Sequence, residues 1–175
     1  MTDSLRVYVA CLAAYNGGRL HGDWMEIEPG DDATDVQDRI DAMLARSPEP
    51  GAEEWAIHDW ESPVAFGIGE YESLDDLVAY AALLEDFDHD VLRAAAELWS
   101  HGEGVDALRA LVDRYRGSFE SAGEYAEEVF GEIHDIPQAL VSYIDWPALE
   151  RDMELSGDIS TVHSGGRLYV FDNLS

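Results

Sequence analysis

The excess of acidic side chains constrains this sequence more than any other feature. Its 175 residues include 38 Asp and Glu against 10 basic residues, every one of them Arg, which gives a formal net charge of -28. Repulsion within such a chain destabilises any compact state, so the charge requires an explanation beyond solubility. Because 46% of the residues are hydrophobic, we nevertheless predict a folded protein with a packed core.

The acidic residues are spread along the whole chain. Residues 1–60, 61–105 and 106–175 carry similar net negative charges, and in each segment the acids alternate with regularly spaced apolar positions. Blocks of like charge are usually disordered, whereas acids interleaved with apolar residues decorate folded elements. The charge is therefore assigned to the surface of the folded body and not to a tail.

Composition also excludes several classes of partner and compartment. Binding to the phosphates of nucleic acid or of an anionic membrane requires clustered Lys and Arg, which this sequence lacks. Cys11 is the only cysteine, so no intrachain disulfide can form. Residues 1–6 lack the features of a secretory signal, and no apolar run is long enough to span a membrane. We expect a cytoplasmic protein that binds neither nucleic acid directly nor a membrane.

The first part of the chain is predicted to form two paired strands with a hairpin-type turn between them, then a helix and a third strand. The assigned ranges are 5–13 and 20–28 for the two strands, 15–19 for the turn, 35–46 for the helix and 54–60 for the third strand. β-Branched and aromatic residues indicate the strands, and apolar residues three and four apart indicate the helix. Thr34 or Asp35 is the expected N-cap of that helix.

The remainder is predicted to be helical at first and mixed at its end. Capping residues, glycines and prolines place helices after Ser73, over 88–99 closing at Gly102, over 104–116 closing at Gly117, from Ser121 to before Pro137, and from Pro147 to Leu155. Ser73 with Asp76, and Ser121 with Glu124, have the spacing of capping boxes. A terminal hairpin is predicted from strands at 159–163 and 167–172. The fold class is therefore α+β.

The sequence contains little that indicates catalysis or metal binding. The six histidines are scattered without metal-ligand spacing, and Cys11 lies in a predicted apolar strand. Carboxylate pairs are inevitable among so many acids, so they do not identify a hydrolase. No nucleophile elbow or phosphate-binding loop occurs. We expect no enzymatic activity, no catalytic residues, no metal and no cofactor.

Six short stretches, taken together and in order, resemble the ArdA antirestriction family across most of the chain. They are Val7–Ala10, Tyr15–Gly22, Glu53–Trp60, Ile68–Leu74, Tyr143–Trp146 and Leu168–Phe171. Each is weak alone, and their combination is specific. At Gly17 the family pattern has a second Asn. This difference affects a turn and no functional role.

The resemblance implies a fold, an oligomeric state and a mode of action. Members of the family are elongated α+β proteins of three small domains that form homodimers, are carried on mobile genetic elements, and mimic DNA with surface carboxylates. We expect a β-rich N-terminal domain (1–62), a helical middle domain (63–105) and a C-terminal α+β domain (106–175). The implied partner is a type I restriction-modification enzyme, bound at its specificity and methyltransferase core in competition with DNA.

The residues expected to mimic DNA phosphates are exposed acids on the middle and later helices. They are Asp75, Asp76, Glu85, Asp86, Asp88, Asp90, Glu120, Glu124, Glu127, Glu128 and Glu132. Exposed charge pairs are individually worth little, so no single carboxylate is expected to be essential.

Three other interpretations of the sequence stay open. An acidic adaptor could bind a basic host DNA-associated protein without copying DNA geometry, and competition with duplex DNA for one site would distinguish it from a mimic. A small hydrolase would require a pocket with a perturbed carboxyl pKa. A halophilic source would explain the acidic surface without any partner.

Overall fold

The computed structural model of the protein describes residues 3–173, apart from the side chain of His101. These residues form a mixed α+β fold with eight α-helices, one short 3₁₀ helix and two three-stranded antiparallel sheets, which confirms the predicted fold class. They divide into two compact units, one running to Leu92 with His101–Val105, the other containing Arg93–Ser100 and the chain from Asp106. The division into three domains stays a prediction.

The first unit consists of a sheet with three helices packed on it. Its elements are β1 (Leu5–Cys11), α1 (Leu12–Asn16), β2 (Gly22–Ile27), α2 (Ala33–Leu44), β3 (Trp55–Glu61) and α3 (Leu74–Asp86). Strand β1 lies in the centre and pairs antiparallel with β2 and β3. Val7 and Ile40 are fully buried between sheet and helices, and Phe66 stacks on Tyr80 with 4.6 Å between ring centroids. Burial of these apolar faces offsets the repulsion among the surface acids.

Two details of the first unit differ from the prediction. The predicted pairing of the first two strands is confirmed, but the connection between them is not a simple turn over 15–19, because the chain forms helix α1 before it turns at Gly17 and Gly18 and returns as β2. Ala14 is a strong helix former and is fully buried, so tertiary packing favours the helical turn. The N-cap of α2 is Asp32 and not Thr34 or Asp35, because its carboxylate accepts hydrogen bonds from the N–H groups of both.

Helix α4 (His89–Leu98) begins in the first unit and ends in the second, and a 3₁₀ turn follows at His101–Glu103. The later elements are α5 (Val105–Asp113), β4 (Tyr115–Phe119), α6 (Glu124–Ile133), α7 (Gln138–Val141), α8 (Trp146–Ser156), β5 (Ile159–Ser164) and β6 (Arg167–Asp172). The second sheet has the order β4-β6-β5. Its core contains Tyr125 of α6 packed with Ile159, Leu168 and Val170 of the sheet.

The second unit confirms the terminal hairpin and the helix starting near Pro147, and it corrects two helix boundaries. The predicted helix over 104–116 ends at Asp113, and Gly117 lies inside strand β4 opposite Val170. This strand is stabilised by pairing with a segment some fifty residues later, which no local pattern reveals. Ser121 is not the N-cap of α6, since Gly123 occupies that position with a φ of 95°.

None of the helices formed by the described residues combines the length and the apolar character that crossing a bilayer requires.

Candidate functional site: acidic helix faces

The acidic side chains lie at the surface of both units. Within residues 3–173, Glu150 is the only charged residue that is buried. Of the eleven acids predicted to mimic phosphates, Asp76 is half-buried and the others are exposed. The side chains are therefore placed where a partner can reach them.

Three of the acids are placed against the electrostatic preference of their helices. The C-terminus of a helix carries partial negative charge and favours Lys, Arg or His. Across the eight described α-helices the last turn holds no basic residue. Instead Glu85 and Asp86 end α3, and Glu132 lies in the last turn of α6. Helix stability does not explain these positions, so we infer that they serve another purpose.

Six of the eleven acids belong to the first unit, around α3 and the start of α4. Asp75 and Asp76 lie in the first turn of α3, where the Asp76 N–H donates to the Ser73 hydroxyl at 3.0 Å. This confirms the predicted start of the helix. Burial raises the pKa of Tyr80 above its usual range, and the charges of Glu72 and Asp76 add to the effect.

The connection from α3 to α4 carries a second acidic segment. Glu85 and Asp86 end α3, and Asp88 and Asp90 flank the beginning of α4. The Asp88 carboxylate accepts hydrogen bonds from the N–H groups of Asp90 at 2.8 Å and Val91 at 3.3 Å. Asp88 thus caps α4, as the sequence predicted, and holds its own charge at the positive end of the helix.

The other five acids belong to the second unit, one at the end of β4 and four on α6. The four are Glu124, Glu127, Glu128 and Glu132, all exposed, whereas Tyr125 and Ala126 of the same helix are buried. An α-helix rises about 1.5 Å per residue, so these glutamates provide roughly one charge per 3–4 Å of axis. One strand of B-DNA carries a phosphate about every 3.4 Å of axis. The mean charge density along α6 is therefore similar to that of one DNA strand.

Hydrogen bonds fix the first glutamate of this face. The Glu124 carboxylate accepts from the Ser121 hydroxyl at 2.6 Å and from the Glu120 N–H at 3.0 Å. These bonds, the Ser121 bond foremost, lower the pKa of Glu124 below its usual value. The side chain is held ionised and oriented before any partner arrives, and pre-organisation of this kind reduces the entropic cost of binding.

Five ion pairs hold arginines close to carboxylates elsewhere on the surface. They are Arg6–Glu61, Arg19–Glu49, Arg39–Asp31, Arg46–Asp23 and Arg116–Asp172. None of these five carboxylates is among the eleven predicted to bind the partner. The arginines in these pairs therefore reduce the charge outside the predicted site.

The contact with α8 that positions α6 was not predicted from the sequence. Glu150 of α8 is 3% exposed, and its carboxylate accepts a hydrogen bond from the Gly123 N–H at 2.9 Å. This bond ties the N-terminus of α6 to α8. Glu150 is four residues after the buried Trp146 and therefore on the same side of α8, which is the signal that could have indicated its burial.

No group of three or more His, Cys, Asp or Glu side chains within the described part of the chain is arranged to hold a metal ion.

Comparison with known proteins identifies a family. The family model described as antirestriction protein (ArdA) matches residues 7–167. No curated protein matches the chain. Because the family match extends over nearly all of the 175 residues, the chain belongs to the ArdA family of antirestriction proteins.

Proposed function

We propose that this antirestriction protein is a DNA mimic that inhibits a type I restriction-modification enzyme. Its exposed carboxylates occupy the groove in which the specificity and methyltransferase core of the enzyme binds DNA. The protein itself carries out no reaction and requires no cofactor. The observation that supports this proposal best is the α6 face, where four exposed glutamates have a mean charge density similar to that of one DNA strand.

The mechanism is electrostatic competition. A groove built to bind phosphates presents Lys and Arg, which attract an acidic protein over long distances and increase its association rate. Folded carboxylates then replace the phosphates without offering a base to methylate or a backbone to cut. Because complementarity of this kind is distributed over many contacts, inhibition does not depend on one residue.

A competition experiment tests this mechanism against the acidic-adaptor alternative. The protein is titrated into a type I methyltransferase bound to labelled cognate DNA, and displaced DNA is measured by gel shift. We expect displacement at near-stoichiometric protein. If the protein fails to displace DNA from any of several type I enzymes, mimicry is wrong and an adaptor that binds another basic protein is favoured.

Salt is expected to have opposite effects on inhibition and on stability. Raising ionic strength from about 0.05 to 0.5 M shortens the screening length and weakens binding to the enzyme. The same screening reduces repulsion within a chain of net charge -28 and raises its melting temperature. Gel shift and thermal unfolding in identical buffers check both signs. A melting temperature that falls with salt would contradict the surface electrostatics assigned here.

We further propose that the protein functions as a homodimer, as the family resemblance implies. Support comes from an apolar patch in the second unit, formed by Leu140 and Tyr143, which are 53% and 85% exposed. Helix α7 has no buried residue within the described chain. Apolar side chains exposed together in this way often mark an interface.

The double variant Leu140→Ser/Tyr143→Ser is expected to weaken the dimer by about 100-fold or more, because each buried apolar side chain contributes about 1.5–3 kcal/mol. Sedimentation velocity across a concentration series measures the dissociation constant. Leu155→Ser, which alters another exposed leucine of the second unit, is the control. Equal dissociation constants in the double variant and the wild type would place the interface elsewhere.

A further inference from the structure

A cleft in the first unit combines aromatic and acidic side chains outside the eleven predicted acids. It has a volume of about 400 Å³ and is lined by Leu12, Glu53, Glu54, Trp55 and Tyr71. Tyr71 is 72% exposed, which is unusual for a large aromatic side chain, and both glutamates are exposed. Within residues 3–173, neither glutamate side chain has an ion pair or a hydrogen bond.

Backbone hydrogen bonds hold the walls of this cleft in place. The Leu12 N–H donates to the Glu54 carbonyl at 3.0 Å, and Trp55 begins strand β3 opposite Cys11. On the other wall, the Ile57 N–H donates to the carbonyl of Glu70, the residue before Tyr71, at 2.9 Å. The backbone around both aromatic residues is therefore fixed to the sheet before any ligand binds.

These groups are suited to a guanidinium ion. A planar cation stacks on the face of an indole or phenol ring and donates hydrogen bonds to a carboxylate at its edge. The same combination occurs elsewhere in the chain, where the Arg6 guanidinium lies 4.8 Å from the centroid of the Trp24 ring and pairs with Glu61 at 2.6 Å. Arginine fits such a site better than lysine, whose ammonium is a compact and more strongly hydrated charge.

We propose that the cleft formed by Glu53, Glu54, Trp55 and Tyr71 binds an arginine side chain of the restriction enzyme. This inference rests on the proposed function, because arginines that contact DNA phosphates are what a mimic meets in the groove. The cleft adds a directional contact to the distributed attraction of the acidic helix faces. It gives the first unit a contact with the enzyme in addition to the six acids around α3 and α4.

The cleft can be tested on the isolated protein. N-acetylarginine amide is titrated into the ¹⁵N-labelled chain, and the indole N–H signals of the five tryptophans are followed, with Trp55 assigned from Trp55→Phe. We expect the Trp55 signal to shift at millimolar ligand, and to shift much less in Glu53→Gln/Glu54→Gln. N-acetylcitrulline amide, which has the same shape without the charge, should have no effect. Equal shifts with citrulline, or shifts shared evenly among the tryptophans, would overturn the assignment.

Variants test whether the enzyme uses this site. Tyr71→Ala is expected to weaken inhibition roughly 3- to 10-fold, the loss of one cation–π contact, and Tyr71→Phe to restore most of it. Glu53→Gln/Glu54→Gln should weaken inhibition more than Asp38→Asn/Asp41→Asn, which removes the same charge from α2. Equal losses of inhibition in the two double variants would mean that the cleft contributes only through its net charge, which would contradict the proposal.

The two experiments separate this proposal from the proposed function. If the wild-type protein displaces no DNA, mimicry fails, while the titration with the arginine amide still decides whether the cleft recognises guanidinium.

Discussion

Reversing three charges on α6, in the variant Glu127→Lys/Glu128→Lys/Glu132→Lys, is expected to reduce inhibition of a type I enzyme by about 100-fold. Each reversal replaces an attraction by a repulsion in the phosphate-binding groove, and at roughly fivefold per site the three effects multiply to this value. Inhibition is measured as the protein concentration that displaces half of the bound DNA. Single Glu→Ala variants should each change it only a few-fold.

The same triple variant should fold at least as well as the wild type. All three side chains are exposed. A lysine is disfavoured at Glu127 in the first turn of α6 and favoured at Glu132 in its last turn, so these two effects offset each other, while the lower net negative charge reduces repulsion within the chain. Its melting temperature is therefore expected to be unchanged or higher. Loss of inhibition without loss of stability would identify α6 as a binding surface.

A matched charge reversal distinguishes the α6 face from net charge. Glu28→Lys/Asp38→Lys/Asp41→Lys makes the same change in formal charge at exposed positions of the first unit, outside the eleven predicted acids. We expect a much smaller loss of inhibition in this control. Equal losses in both triple variants would mean that total charge decides inhibition, and no loss in either would remove α6 from the site.

The elements that the sequence predicted best are those with strong local signals. Helix α3 begins after Ser73 as expected, because its capping residue and its apolar stripe are both local features. The terminal hairpin is likewise recognisable from two glycines between apolar strands, and Gly165 and Gly166 both have positive φ. Local propensity and tertiary structure agree in these segments.

The elements that were missed depend on distant contacts. Strand β4 contains Gly117 and follows a helix closely, and it exists because β6 pairs with it. Helix α1 replaces a predicted turn because Ala14 packs into the core of the first unit. Neither contact leaves a periodic signal in the sequence, so the tertiary partner decides the conformation.

The sequence predicted that the residues of the candidate site are exposed, but it did not predict how they are arranged. Apolar periodicity correctly predicted that the α6 glutamates are exposed. The same reasoning placed Asp76 at the surface, where the structure makes it half-buried near Tyr80. The cleft between Trp55 and Tyr71 was missed because its two walls are sixteen residues apart in the sequence and meet through strand β3.

Gly123→Ala is expected to destabilise the second unit by about 3–5 kcal/mol, which combines the cost of left-handed backbone with that of a steric clash. Gly123 has a φ of 95°, and a Cβ there would lie 2.6 Å from the Pro147 nitrogen and 2.8 Å from the Trp146 carbonyl carbon. Both are backbone atoms at the start of α8, so they cannot rotate away. Thermal unfolding should show a fall in melting temperature of roughly 10 °C.

Two other glycines provide controls that separate the cost of the backbone conformation from the cost of the steric clash. Gly157 also has positive φ, at 82°, but its Cβ would meet open space, so Gly157→Ala should cost only about 1–2 kcal/mol for the backbone conformation. Gly131 lies within α6 with open space around it, and Gly131→Ala should stabilise the helix by up to about 1 kcal/mol. If Gly123→Ala cost no more than Gly157→Ala, the close approach of α6 to α8 would be wrong.

The effect of Gly123→Ala on inhibition follows from the contact between α6 and α8, which positions the α6 glutamates. A shift at Gly123 breaks its hydrogen bond to Glu150 and leaves a buried carboxylate without that donor, a loss of about 1–3 kcal/mol in itself. The α6 glutamates then lose their fixed orientation although each of them is still present. Gly123→Ala should therefore inhibit poorly and melt early, whereas the triple Lys variant inhibits poorly and melts normally. Only a site built from positioned charges predicts both results, because a protein acting through net charge alone would tolerate the loss of orientation.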